Sequence, residues 1–109
     1  MTDVVLVLTT VPSPDIGTAL ARALVQTRLA ACVNVLPPMT SIYRWQGDLQ
    51  HDSECQVVIK TVRPRLDAVR VLVRASHPYE LPEFVVVPVE TGEAAYLAWV
   101  VAEASGEPG

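Results

Sequence analysis

The chain has 109 residues, half of them hydrophobic, and eight Lys plus Arg against twelve Asp plus Glu give it a formal charge of −4. That length fits a single domain, expected over residues 1–104 with a flexible tail at 105–109, and the acidic balance excludes a general electrostatic footprint for nucleic acid or an anionic membrane. A positive mean hydropathy of +0.32 with only 18% charged residues excludes intrinsic disorder.

Val4-Val5-Leu6-Val7-Leu8 is continuously apolar and mostly β-branched, the pattern of a strand buried on both faces near the middle of a sheet. Ser13-Pro14-Asp15 opens a helix: Ser13 can cap orphan amides, Pro14 suits the first helical position, and Asp15 complements the dipole. Ile16, Ala19, Leu20, Ala23 and Leu24 mark its buried stripe, and it ends near Thr27 or Arg28. From Ala31 to Trp45 the chain is β-rich, interrupted by Pro37-Pro38. Gln46-Gly47-Asp48 turns it into a second run ending at Lys60-Thr61. Folded symmetrically about Gly47, this hairpin sets Cys32 opposite Val62 and Cys55 opposite Met39, too far apart for a disulfide. A second helix enters at Arg63-Pro64 with Leu66, Val69 and Val73 inward and Arg63, Arg70 and Arg74 on a solvated face; Pro78 stops it. Phe84–Val89 is a further strand whose Pro88 fits an edge. Glu93–Ala104 is a last helix with Tyr96, Trp99 and Val100 on one side.

The order β-α-β-β-α-β plus a terminal helix predicts an α+β, ferredoxin-like sandwich with an extended hairpin, the first and third strands central and the second and fourth at the edges. At about 3.3 Å per residue the arm Ala31–Trp45 reaches roughly 50 Å before bending. A helix of about 14 residues covers only roughly 21 Å, so the tip with Ile42, Tyr43 and Trp45 overhangs its own protomer. An uncovered apolar hairpin is most simply buried in a symmetric homo-oligomer. No apolar run approaches the roughly 18 residues of a membrane span, and no charged-then-apolar leader is expected at the start of the chain. Two cysteines outside any C-x-x-C pair read as reduced thiols, and the expected compartment is the cytoplasm.

Four separated stretches then resemble one family: Leu29-Ala30-Ala31-Cys32-Val33-Asn34-Val35, Ser41-Ile42-Tyr43-Arg44-Trp45-Gln46-Gly47, Ile59-Lys60-Thr61, and His77-Pro78-Tyr79-Glu80-Leu81-Pro82-Glu83. With Tyr96-Leu97-Ala98-Trp99 they are similar to the CutA family of divalent-cation tolerance proteins, over nearly the whole chain. The resemblance implies a homotrimer assembled through the long hairpin and an association with copper and other divalent metal ions. It also implies an architectural likeness to the trimeric PII signalling proteins, which bind small effectors between subunits.

Taken on its own, Cys32 reads as a small buried hydrophobe before it reads as a soft metal ligand; the resemblance makes it a proposed metal contact. His77, between helix end and Pro78, begins a stiff loop carrying Tyr79, Glu80 and Glu83. Imidazole with carboxylates suits a divalent cation or acid-base work, and the bland alternative is helix termination and subunit packing. Lys60 is expected to pair with a carboxylate such as Glu83 or to meet an anionic ligand. Thr9, Thr10 and Ser13 sit at a strand-to-helix junction whose amides could hold an anion, though capping alone explains them. Tyr43 and Trp45 could stack bases, but the central strands lack the aromatics of RNA-recognition modules, which excludes that reading. His51 reads as an exposed side chain past the turn.

Two functions follow as expectations. The first is a trimer that weakly binds copper or another divalent ion through Cys32, His77, Glu80 and Glu83, with no required cofactor and no catalysis. The alternative is a PII-like signalling module holding an anionic small molecule in the inter-subunit cleft through Lys60, Tyr43, Trp45 and Thr10.

Overall fold

The computed structural model describes residues 2–106. Its elements are β1 (Val4–Val11), α1 (Pro14–Gln26), β2 (Cys32–Val35), β3 (Met39–Trp45), β4 (Asp48–Val62), α2 (Leu66–Ser76) after a 3₁₀ turn at Arg63–Arg65, β5 (Val85–Pro88) and α3 (Ala94–Glu103). One antiparallel sheet is ordered β2-β4-β1-β5, and β3 pairs with the far half of β4. The central pair is therefore β1 and β4, and the prolines that cannot donate to a ladder lie at an edge: Pro88 ends β5, and Pro37-Pro38 separate β2 from β3.

The hairpin departs from the symmetric register expected around Gly47. Gln46 and Gly47 both have positive φ, 50° and 85°, which makes a two-residue turn of the primed kind closed by Trp45 opposite Asp48. The turn centre thus falls between residues 46 and 47, and Met39 faces Glu54, not Cys55. Three residues, Leu36 to Pro38, then face only Cys55 and Gln56, so the ladder resumes one step further on with Val35 opposite Val57 and Cys32 opposite Lys60. Cys32 and Cys55 lie on opposite faces of the sheet and are both free thiols.

The face of the sheet carrying Val7, Val11, Cys55, Val57 and Ile59 is covered by α1 and α2 through Leu20, Leu24, Val69 and Val73, all buried. Ser13 Oγ accepts the Ile16 N–H at 3.3 Å, with Pro14 and Asp15 in the first turn. The buried stripe of α1 is Gly17, Leu20 and Leu24; Ala19, expected inside, is exposed. Gly17 is inside because a Cβ there would lie 2.8 Å from a Val35 methyl carbon. The helix ends in a Schellman arrangement, with Leu29 N–H bonded to Leu24 O and Arg28 N–H to Val25 O, and Arg28 at φ 59°.

The opposite face is only partly covered. There α3 buries Val100 and Ala104 against Val4, Ala31 and Val62. Of the three residues placed on one side of this helix, Val100 is buried, whereas Tyr96 and Trp99 are 43% and 42% exposed. The helix is apolar on nearly every side, and Val85 and Val87 on the neighbouring edge strand are also exposed. At the far end Ile42 and Leu49 are 65% and 71% exposed on the overhanging hairpin, in a molecule 44 Å long and 23 Å thick. The expected tail begins with anchored residues: Arg28 Nε donates to Ser105 O at 3.0 Å and Arg65 to Gly106 O at 2.7 Å. The rest of that tail, residues 107–109, lies outside the described residues.

Candidate functional site

Where β3 and β4 run past the helices, the loop after α2 folds back against them and encloses a cleft of about 670 Å³. Pro78 ends the helix by forcing His77 into extended backbone, φ −98° and ψ 129°. The His77 ring is then fixed from both sides. Nδ1 accepts the Tyr79 N–H at 3.2 Å, so the proton resides on Nε2, which donates to the Thr10 carbonyl. His77 and Tyr79 stack with ring centroids 4.6 Å apart.

Tyr79 closes the cleft by donating its hydroxyl to Glu54 at 3.1 Å. Burial, then the hydrogen bond to Glu54, then the charge of that carboxylate push the phenol up to about 12. On the hairpin wall Tyr43 donates to Asp52, and this bond, followed by burial and the Asp52 charge, raises its pKa as well. Both phenols are held neutral. Gln56, one rung from the cleft, donates to Thr9 O at 2.6 Å and to Glu83 at 3.2 Å, which pins the end of the loop to the sheet.

The expected site residues separate into two places. Thr10, Tyr43, Trp45, Glu80 and Glu83 line the cleft, while His77 does not line it and is held beside it by the Thr10 carbonyl. Cys32 and Lys60 do not. They face each other across β2 and β4, four positions along from Gln56, the residue opposite Thr10. With roughly 3.3 Å per residue and about 4.8 Å between strands, that is on the order of 15 Å from the His77 contact. Within one protomer Cys32 and His77 cannot hold the same ion. Among the described residues no three His, Cys, Asp or Glu side chains are grouped to hold a metal. The expected Lys60–Glu83 ion pair is also absent: Glu83 takes the Gln56 amide, and the Lys60 ammonium lies 5.8 Å from the centre of the Tyr96 ring.

Glu54 and Asp52 were not singled out from the sequence. Their signal is the hairpin register, which places Glu54 opposite Met39 and so on the face of Ser41, Tyr43 and Trp45. With Glu54, Glu80 and Glu83 on its wall and no Lys or Arg, the cleft is an acceptor-rich, negatively charged space.

A family description, CutA1 divalent ion tolerance protein, matches residues 5–103. The chain is 46% identical to the divalent-cation tolerance protein CutA of Thermus thermophilus over 86% of this chain and 91% of that one. A solved structure of that organism's divalent cation tolerance protein superposes with a TM-score of 0.89, at 43% identity over 92% of this chain and 97% of that one. The structure of CutA from Xylella fastidiosa gives 0.92, at 41% identity over 95% and 100%. The chloroplastic CutA protein of Arabidopsis thaliana is 41% identical over 88% of this chain but only 53% of its own length. This chain likewise spans about half of the mouse relative.

Proposed function

Because the chain belongs to the CutA1 divalent ion tolerance family, we propose that it acts as a homotrimeric, ferredoxin-like protein that binds copper or another divalent metal ion weakly. The observation that carries the reading is the charge of the cleft: three carboxylates and no basic side chain favour a cation. Glu80 and Glu83 are the donors available there, since both ring nitrogens of His77 are engaged by backbone groups. Two carboxylates without a third grouped ligand make a weak site. His77 joins it only by releasing the Tyr79 N–H from Nδ1, and Cys32 only where a second copy brings its thiol there.

The uncovered apolar surface supports the trimer. Tyr96, Trp99, Val85 and Val87 on one face and Ile42 and Leu49 on the overhang leave water only by contact with further copies. The PII-like alternative is disfavoured because three carboxylates line the cleft and repel an anion, and Lys60 would have to be brought there by a second copy. The reading assigns no catalysis, since an imidazole with both nitrogens bonded offers no lone pair to a proton. Free thiols suit a reducing compartment, so cytoplasmic residence remains part of the proposal.

Native mass spectrometry and calorimetry with copper or zinc test it together. The expected result is a trimer with weak, saturable heat that falls in Glu80→Gln/Glu83→Gln and in Cys32→Ala/His77→Ala. A stable monomer at micromolar concentration overturns the assembly, and unchanged heat in both double variants overturns the metal site.

A further inference from the structure

The cleft is larger and more aromatic than a metal ion requires. Its volume is about 670 Å³, against about 30 Å³ for each water in the liquid, and it lies inside the range of roughly 300–1,000 Å³ typical of organic-ligand pockets. Three rings, Tyr43, Trp45 and Tyr79, face it from the hairpin and the loop. The two phenol hydroxyls are already donated to Asp52 and Glu54, so the rings stay neutral and present electron-rich faces.

The polar groups on the wall are mainly acceptors, and two of them are fixed in advance. Glu54 is held by Tyr79 and Glu83 by Gln56, while Glu80 is exposed at the mouth. Pro78, Leu81 and Pro82 add an apolar strip beside these carboxylates. A bare divalent ion gains nothing from rings or from this strip. An organic cation uses both: N–H groups pair with separated carboxylates, the charge rests over ring faces, and a carbon stem covers the apolar wall.

From this juxtaposition we infer that the cleft between the hairpin and the loop 77–83 binds a primary alkylammonium ion, with its nitrogen at the Glu80 and Glu83 carboxylates and its stem along Pro78, Leu81 and Pro82. Its N–H donors match carboxylate acceptors that a quaternary ammonium cannot use. The inference shares the negative charge of the cleft with the metal reading but not the coordination chemistry, so either can fail alone.

The test is a nitrogen-15 NMR titration of the intact assembled protein with butylammonium chloride, compared with sodium chloride at equal ionic strength. The Trp45 indole N–H resonance, identified by its loss in Trp45→Phe, is the probe. The expected result is a saturable shift with butylammonium that sodium does not produce. Affinity should fall about tenfold in Glu80→Gln/Glu83→Gln and about threefold by calorimetry in Trp45→Leu. Glu80→Gln alone, at an exposed position, should weaken binding without altering the native mass. No shift beyond the sodium control, or equal affinity in the carboxamide variant, overturns the inference. Equal binding of tetramethylammonium overturns the primary-amine assignment. Zinc chloride in the same assay separates the two readings: saturation by zinc with no response to butylammonium removes the inference and leaves the metal site, and the converse removes the metal site.

Discussion

Replacing Tyr79 by Phe deletes one oxygen and leaves the ring stacked on His77. In the native chain that oxygen donates to Glu54 at 3.1 Å, a hydrogen bond to a charged acceptor on partly solvated groups, worth about 1 kcal/mol. The folded chain holds the phenolic proton more tightly than the unfolded one, with a pKa of about 12 against 10. Its stabilisation is therefore fully present below pH 10 and is lost as pH rises through the folded value. That displacement corresponds to about 2.7 kcal/mol, and solvent screening at a partly exposed ring reduces it to roughly half. Guanidinium unfolding of the two proteins at one fixed concentration reads the difference, since assembly makes stability concentration-dependent. Tyr79→Phe should be less stable by about 1 kcal/mol at pH 8, and the gap should close between pH 10 and about 12. A gap that stays constant across that window refutes the assignment of the Tyr79 proton to Glu54.

Gly17→Ala offers a helix-propensity gain of about 1 kcal/mol, yet its Cβ would meet stiff Val35 at 2.8 Å and Val11 at 3.2 Å. Overpacking of about 1–3 kcal/mol should win, so thermal unfolding should show net loss, and Gly17→Ala/Val35→Ala should recover most of it. At Arg28, φ 59° taxes any L side chain while the guanidinium holds Ser105 O, Ala102 O and Glu103. Both Arg28→Ala and Arg28→Gly lose those bonds, but only the glycine relieves the backbone, so Arg28→Gly should be the more stable of the two by about 1 kcal/mol in denaturant unfolding.

Local chemistry settled much of this protein before any fold was known. Ser13-Pro14-Asp15 could only start a helix, Pro78 could only stop one, and Pro88 with Pro37-Pro38 excluded central positions, which together ordered the sheet. The loop His77–Glu83 and the aromatic tip were legible as site material for the same reason: prolines and exposed aromatics leave few other roles. Register was not legible. A turn centred on Gly47 would have put Tyr43 and Trp45 on the face of Cys55, whereas the turn at Gln46-Gly47 puts them on the face of Glu54. Side chains alternate with a period of two, so one step decides which groups share a wall.

The separation of Cys32 from His77, the release of Lys60 to Tyr96 and the pairing of each cleft tyrosine with a carboxylate all follow from that register and from the packing of the loop. Residue identity determined which chemistries the chain owns and where its segments begin and end, because those choices depend on neighbours a few positions away. Which of those groups meet was decided only in three dimensions, because contacts between strands distant in sequence carry no signature in the composition of either strand.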